Sequence, residues 1–348
     1  MSTTRLALDA MGGDNAPEIV IKGADVARAK NPELEFVFVG DSERIKPFLS
    51  RSIHLKDAKV IHAEEKVEGD ENVSQAVRKG KQTSMWKAIA EVKDGRCDAV
   101  VSAGNTGALM AISKLQLRSM EGVKRPAIAT FLPTAKRQVC MLDLGANIDC
   151  DAENLVQFAI MGAAFSRSIL GVADPSIGLL NVGEEDQKGH DYLREAADIL
   201  ANREFGMNYH GFVEGTDITK GATDVVVTDG FTGNVALKTA EGTAMLITDL
   251  LKKAFQESFF TKMAYMLARA AMLRMRKRLD PRVHNGAVFL GLNGIAVKSH
   301  GGTDEIGYAN AIKVAADLVE HGFMPDVQSA IQRFSSIQTS QSDAKEGQ

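Results

Sequence analysis

The sequence predicts an α/β protein with a mostly parallel sheet and helices on both faces. Two observations predict it: short, continuously apolar runs recur along most of the 348 residues, and helical patterns separate them. A third is that glycine-rich turns follow several of the runs, where such a sheet presents its ligand-binding rim.

In chain order the apolar runs fall at 5–9, 34–39, 59–63, 98–102, 127–132, 138–143, 176–182, 224–228 and 287–290. Their lengths are those of strands, and their apolar character on both faces is that of strands covered from two sides. Helical spacing is clearest at 152–170 and 187–203. From 239 to 280 it runs far beyond the average helix of about 11–12 residues, with Pro281 to end it. This predicts a protruding helical excursion, either one helix or a hairpin. Residues 1–334 read as a single α/β catalytic unit in one lobe or two, and 335–348 as a frayed polar tail.

A net charge of −4, with 45% hydrophobic and 25% charged residues, describes a folded globular chain. It excludes a polyanion binder as a whole, so no nucleic-acid partner is expected. Cys97, Cys140 and Cys150 show no C-x-x-C spacing and read as buried free thiols of a reducing cytoplasm. Residues 1–5 enter the first strand without a signal-peptide pattern, and no apolar stretch of about 18 residues predicts a membrane span.

Three strand-to-helix turns carry the candidate chemistry: VVSAGNTG at 100–107, VTDGFTGN at 227–234 and VKSHGGTD at 297–304. Each sets glycines beside small hydroxyl or amide side chains where a helix begins with free N–H groups, a chemistry that suits a small oxyanion. One such turn is explained by local capping alone. Three, one of them with Lys298 and His300, point to an anion site. Further glycine-rich ends lie at 9–17, 143–147 and 181–189; Lys188 in the last reads equally as a surface ion pair or an active-site cation. There is no G-x-x-x-x-G-K-[ST], G-x-G-x-x-G, G-x-S-x-G or H-E-x-x-H, so neither a nucleotide cofactor nor a metal is expected.

In the long helical segment Phe255, Phe259, Met263, Met266, Ala270 and Leu273 share a helical face, with Phe260 and Leu267 beside it. Lys262, Arg269 and Arg276 recur every seventh residue along its border. Between 252 and 282 nine basic residues stand against two acidic ones. The face reads either as core or dimer packing, or as an interfacial membrane helix.

The motifs DAMGGDNAP, VVSAGNTGALM, MLDLGAN, NVGEEDQKG, VVVTDGFTGNVALK and KSHGGTDE, in order from Leu6 to about Phe334, resemble those of a known family. That family is the bacterial fatty acyl–acyl-carrier-protein:phosphate acyltransferases of phospholipid synthesis. The resemblance implies a fold similar to phosphotransacetylases and isocitrate-type dehydrogenases. It implies a reaction, without cofactor, in which acyl carrier protein thioester and inorganic phosphate give acyl phosphate and free carrier. It further implies a cytoplasmic homodimer in peripheral contact with the anionic inner membrane face. The product would pass to a membrane glycerol-3-phosphate acyltransferase. The basic helix suits the acidic carrier protein as well as a membrane.

Such a reaction needs no enzyme nucleophile, only a grip on phosphate beside a thioester carbonyl and stabilisation of the developing oxyanion. Ser102, Asn105, Thr106 and Gly107 are expected at one end of the anion, and Asp229, Thr232, Gly233 and Asn234 at the other, with Asn147 nearby. Lys188, Lys298 or His300 would neutralise charge. Rival readings are a short-chain phosphotransacetylase using CoA, a dehydrogenase on the related fold, and a non-enzymatic organiser of lipid synthesis at the membrane.

Overall fold

Alternation along the strands builds two cores, one on each face of a single sheet. Leu6, Leu8, Phe36, Phe38 and Val101 point to one side, while Ala7, Val37, Val39 and Val100 point to the other. The computed structural model describes residues 3–202, 205–280, 282–283 and 285–346, with the side chains of 276–279 and 338–346 outside that description.

The first half of the chain forms β1 (Thr4–Asp9), α1 (Glu18–Lys30), β2 (Leu34–Gly40), α2 (Ser42–Leu49), β3 (Lys59–His62), α3 (Val73–Lys79), α4 (Ser84–Lys93), β4 (Ala99–Ser102), α5 (Thr106–Leu117), β5 (Ala127–Pro133), β6 (Gln138–Leu142) and α6 (Ala152–Leu170). Then follow β7 (Ile177–Leu180), α7 (Asp191–Ala201), β8 (Tyr209–Val213), α8 (Gly215–Lys220), β9 (Val225–Val227), α9 (Gly230–Gln256), α10 (Phe259–Leu279), β10 (Ala287–Leu290), β11 (Ile295–Lys298), α11 (Glu305–Glu320) and α12 (Phe323–Glu346).

The strands lie in the order β3-β2-β1-β4-β11-β10-β5-β6-β9-β7-β8. β10 is antiparallel to both neighbours and so is β5; every other described pairing is parallel. The expected mostly parallel sheet is therefore present, but it consists of two parallel halves that run in opposite senses. All nine apolar runs are strands. The two unexpected ones are β8, broken in pattern by His210 and Gly211, and the four-residue β11 among glycines. Both become strands through pairing, β8 on β7 and β11 between β4 and β10.

Three boundaries differ from expectation. Helix α7 starts at Asp191 rather than 187, because Gly189 takes φ +86. The long helical segment begins at Gly230 and reverses at residues 257–258, where the Ser258 Oγ accepts the Thr261 N–H (3.2 Å) and starts α10 afresh. Phe255 therefore ends α9 and packs on Tyr265 of α10 (ring centroids 5.3 Å apart) instead of sharing one face with Phe259. Pro281 lies outside the described residues. The tail is helical through Glu346, not frayed from 335: Phe323, Val327, Ile331 and Phe334 bury one face of α12, and no glycine or proline interrupts it between 326 and 346.

Candidate functional site

At the carboxyl ends of β1, β4 and β11 the turns close on a buried carboxylate. Asp9 accepts from the Ser84 Oγ and the Ser102 Oγ, each at 2.7 Å, and from the Met11 N–H at 3.3 Å. Burial pushes the Asp9 carboxyl above the ordinary carboxylate range, and these donors oppose the shift. Gly12 is required here, since a Cβ would lie 2.7 Å from both Asp9 Oδ2 and the Gly104 nitrogen.

Several expected ligands are already engaged in this cluster. Ser102 is buried and also accepts the Gly104 N–H (3.0 Å). Asn105 caps α5 through the Ala108 N–H (2.9 Å), while its Nδ2 donates to Gly69 O (2.9 Å) and Glu71 O (3.1 Å). Thr106 and Gly107 are exposed in the first turn of that helix. The exposed His300 accepts the Gly302 N–H on Nδ1 (3.1 Å), and its own N–H donates to Asn285 Oδ1 (2.9 Å).

Lys298 sits beneath this turn and donates to the carbonyls of Ala103 (3.4 Å) and Ser299. Burial pushes its ammonium down from 10.5 to about 8, against the attraction of Asp14 and Asp9. A folded-state value below the unfolded one means the buried charge costs stability below pH 8, a cost that fades as pH rises to 10.5. The stability of Lys298→Met relative to the parent is thus expected to drop by about 3 kcal/mol between pH 7 and pH 10.5. Urea unfolding at the two values checks this; an unchanged difference would contradict it.

A second cluster occupies the ends of β6, β9 and β7. Asp143, fully buried, accepts the N–H groups of Ile128 (2.9 Å), Ala146 (3.1 Å) and Asn147 (2.7 Å) and the Asn147 Nδ2 (3.0 Å). Burial raises its pKa against those four donors. Asn147 is buried and also donates to Pro126 O (2.8 Å), so it braces the turn. Asp229 caps α9, accepting from the Thr232 N–H and hydroxyl, each at 2.8 Å. The start of α9 is pressed onto the Asp143 turn: a Cβ on Gly230 would lie 2.6 Å from Asn147 O, and one on Gly233 only 1.9 Å from Asp143 O.

Asn234 stands over the same turn, its Nδ2 3.1 Å from where a Cβ on Gly145 would be. Its amide makes no hydrogen bond to any described residue. Lys188, exposed in the loop after β7, pairs with Glu185 (2.7 Å), and its carbonyl accepts from Asn181 Nδ2 (3.0 Å).

Beside this cluster opens a cleft of ≈ 510 Å³ lined by Ile148, Asp149, Cys150, His190, Tyr192, Asp229, Phe231 and Thr232. His190 and Tyr192 stack with centroids 5.3 Å apart. Cys97 and Cys140 are buried as expected, whereas Cys150 is only partly so. His190, Tyr192, Ile148 and Phe231 were not singled out from the sequence, and Cys150 only as a buried thiol. A signal was there for two, since His190 directly follows NVGEEDQKG and Phe231 lies within DGFTGN.

The turns around Asn105 and Asn234 do not converge on each other within the chain. β4 and β9 are five places apart in the sheet, about 24 Å at roughly 4.8 Å per strand. The antiparallel strands β10 and β5 intervene, and no hydrogen bond among the described residues joins the two clusters. One small oxyanion is not gripped by both.

Residues 4–325 match the model of a family described as fatty acid synthesis protein. This chain belongs to that family. Curated relatives of the chain include the phosphate acyltransferase of Rhodospirillum centenum, 53% identical over 329 residues (94% of this chain, 93% of the relative). That of Paramagnetospirillum magneticum is 49% identical over 343 residues (98% of each). Among solved structures, a phosphotransacetylase from Streptococcus pyogenes superposes with TM-score 0.63 at 18% identity, covering 91% of this chain and 94% of its own. The EutD phosphotransacetylase from Staphylococcus aureus gives 0.58 at 16%, covering 95% of each. These structural likenesses establish the shared α/β fold.

Proposed function

We propose that this protein moves a fatty acyl group from acyl carrier protein to inorganic phosphate, and that transfer occurs where β6 and β9 end. The observation that carries the location is the Asn234 amide, without a hydrogen-bond partner among the described residues, over the Asp143 turn and beside the cleft. A phosphate oxygen attacks the thioester carbonyl carbon, the carbonyl oxygen takes up charge, and the C–S bond breaks with the electron pair leaving on sulfur. A thiol of pKa about 8.5 leaves without a strong general acid. In this reading the Asn234 N–H donates to the developing oxyanion, and the Lys188 ammonium, on the loop after the neighbouring strand β7, balances the phosphate charge. Lys298 and His300 belong to the other cluster and take no part in this step within the same chain.

Release of carrier thiol from a palmitoyl carrier thioester should require phosphate; release at an equal rate without it would sink the reading. A short-chain phosphotransacetylase would prefer acetyl-CoA in the same assay.

The finer assignments concern the α9–α10 hairpin, which we propose touches the anionic inner membrane face from the cytoplasm. Phe259, Met263 and Met266 are exposed, Phe260 is 81% and Leu267 89% exposed, and Lys262 and Arg269 stand beside them in solvent. The Arg276 side chain lies outside the described residues. No described helix is long and apolar enough to cross a membrane. A homodimer, an acidic carrier protein on the basic residues, and delivery of acyl phosphate to a membrane glycerol-3-phosphate acyltransferase complete the proposal. Phe259→Glu with Leu267→Glu is expected to abolish sedimentation with phosphatidylglycerol vesicles; undiminished sedimentation would remove the hairpin as the anchor.

A further inference from the structure

We infer that the cleft beside Asp229 is the acyl-chain subsite, and that Phe231 and Ile148 set the chain length it accepts. The inference rests on the acyl-transfer reading above. Its size, ≈ 510 Å³, falls within the range of about 300–1,000 Å³ typical of ligand pockets. Two large apolar side chains line it while remaining open to solvent, Phe231 at 63% and Ile148 at 68%.

Their spacing is rigid. Phe231 leaves the first turn of α9 between Gly230 and Gly233, both seated on the turn after β6 that leads to Ile148. Phe231 also lies three residues before Asn234, so the two share a face of α9. A thioester carbonyl at the Asn234 amide directs its alkyl chain along Phe231. No Lys or Arg lines the cleft, while Asp149 and Asp229 do. Two carboxylates repel phosphate and carrier phosphodiester alike, which leaves the uncharged chain as occupant.

The test is kcat/KM for butyryl and palmitoyl carrier thioesters at saturating phosphate, with sedimentation velocity on each variant. Phe231→Ala and Ile148→Ala are each expected to lower the palmitoyl-to-butyryl ratio about tenfold, the usual yield of lost apolar contact in a specificity pocket. Phe231→Trp should shift preference toward the shorter chain. An unchanged ratio in all three variants overturns the inference. So does an unchanged ratio with a lower sedimentation coefficient, which would place a second copy of the chain on this wall. If the parent enzyme transfers neither chain to phosphate, the acyl-transfer reading itself fails and the subsite falls with it.

Discussion

Asn234→Ala is expected to lower kcat for phosphate-dependent thiol release by roughly 10²–10³-fold, the loss usual for one oxyanion donor, with little change in the unfolding midpoint. The two halves of this expectation share one cause. The Asn234 amide stands partly buried at the Gly145 backbone, yet no described protein group uses its N–H or C=O. Truncation therefore breaks no intramolecular hydrogen bond and opens no core cavity, so stability has little to lose. A donor aimed where charge develops loses its effect chiefly in the transition state, so kcat falls more than the KM for phosphate rises. Parallel steady-state kinetics and urea unfolding check both. A variant that retains full turnover would move the oxyanion site elsewhere.

Gly233→Ala, one residue away, is expected to do the reverse: to destabilise the fold by more than about 3 kcal/mol, beyond ordinary overpacking. The new Cβ would sit 1.9 Å from Asp143 O and 3.0 Å from Thr228 Cγ2. Neither neighbour gives way cheaply. Asp143 is held by four donors to its carboxylate and by a backbone N–H bond to Thr228 O (2.9 Å). To admit the methyl group, α9 must lift from the turn, carrying Phe231 and Asn234 with it. Urea unfolding and the thiol-release assay should both fail together; a parent-like midpoint would show that the contact relaxes.

Short-range chemistry is what the amino-acid order encodes directly. Apolar runs became strands and 3.6-residue spacing became helices, because burial selects side chains by period. The glycine-rich turns at 100–107, 227–234 and 297–304 were legible as helix starts because a cap needs only its own next three residues, although Asn105 and Asp229, expected at the anion, prove to be the caps themselves. The motifs also carried the family. Other features depend on groups distant along the chain and emerge only once it is folded. Ser102 is turned from ligand to brace by Asp9, 93 residues earlier. Asn105 is engaged by the carbonyls of Gly69 and Glu71, and Asn147 by that of Pro126. The cleft gathers His190, Tyr192 and Phe231 from two helices whose preceding strands, β7 and β9, are neighbours only in the sheet. Above all, β10 and β5 reverse the sheet between two similar glycine-rich rims, because strand direction follows from pairing and not from the composition of any one strand.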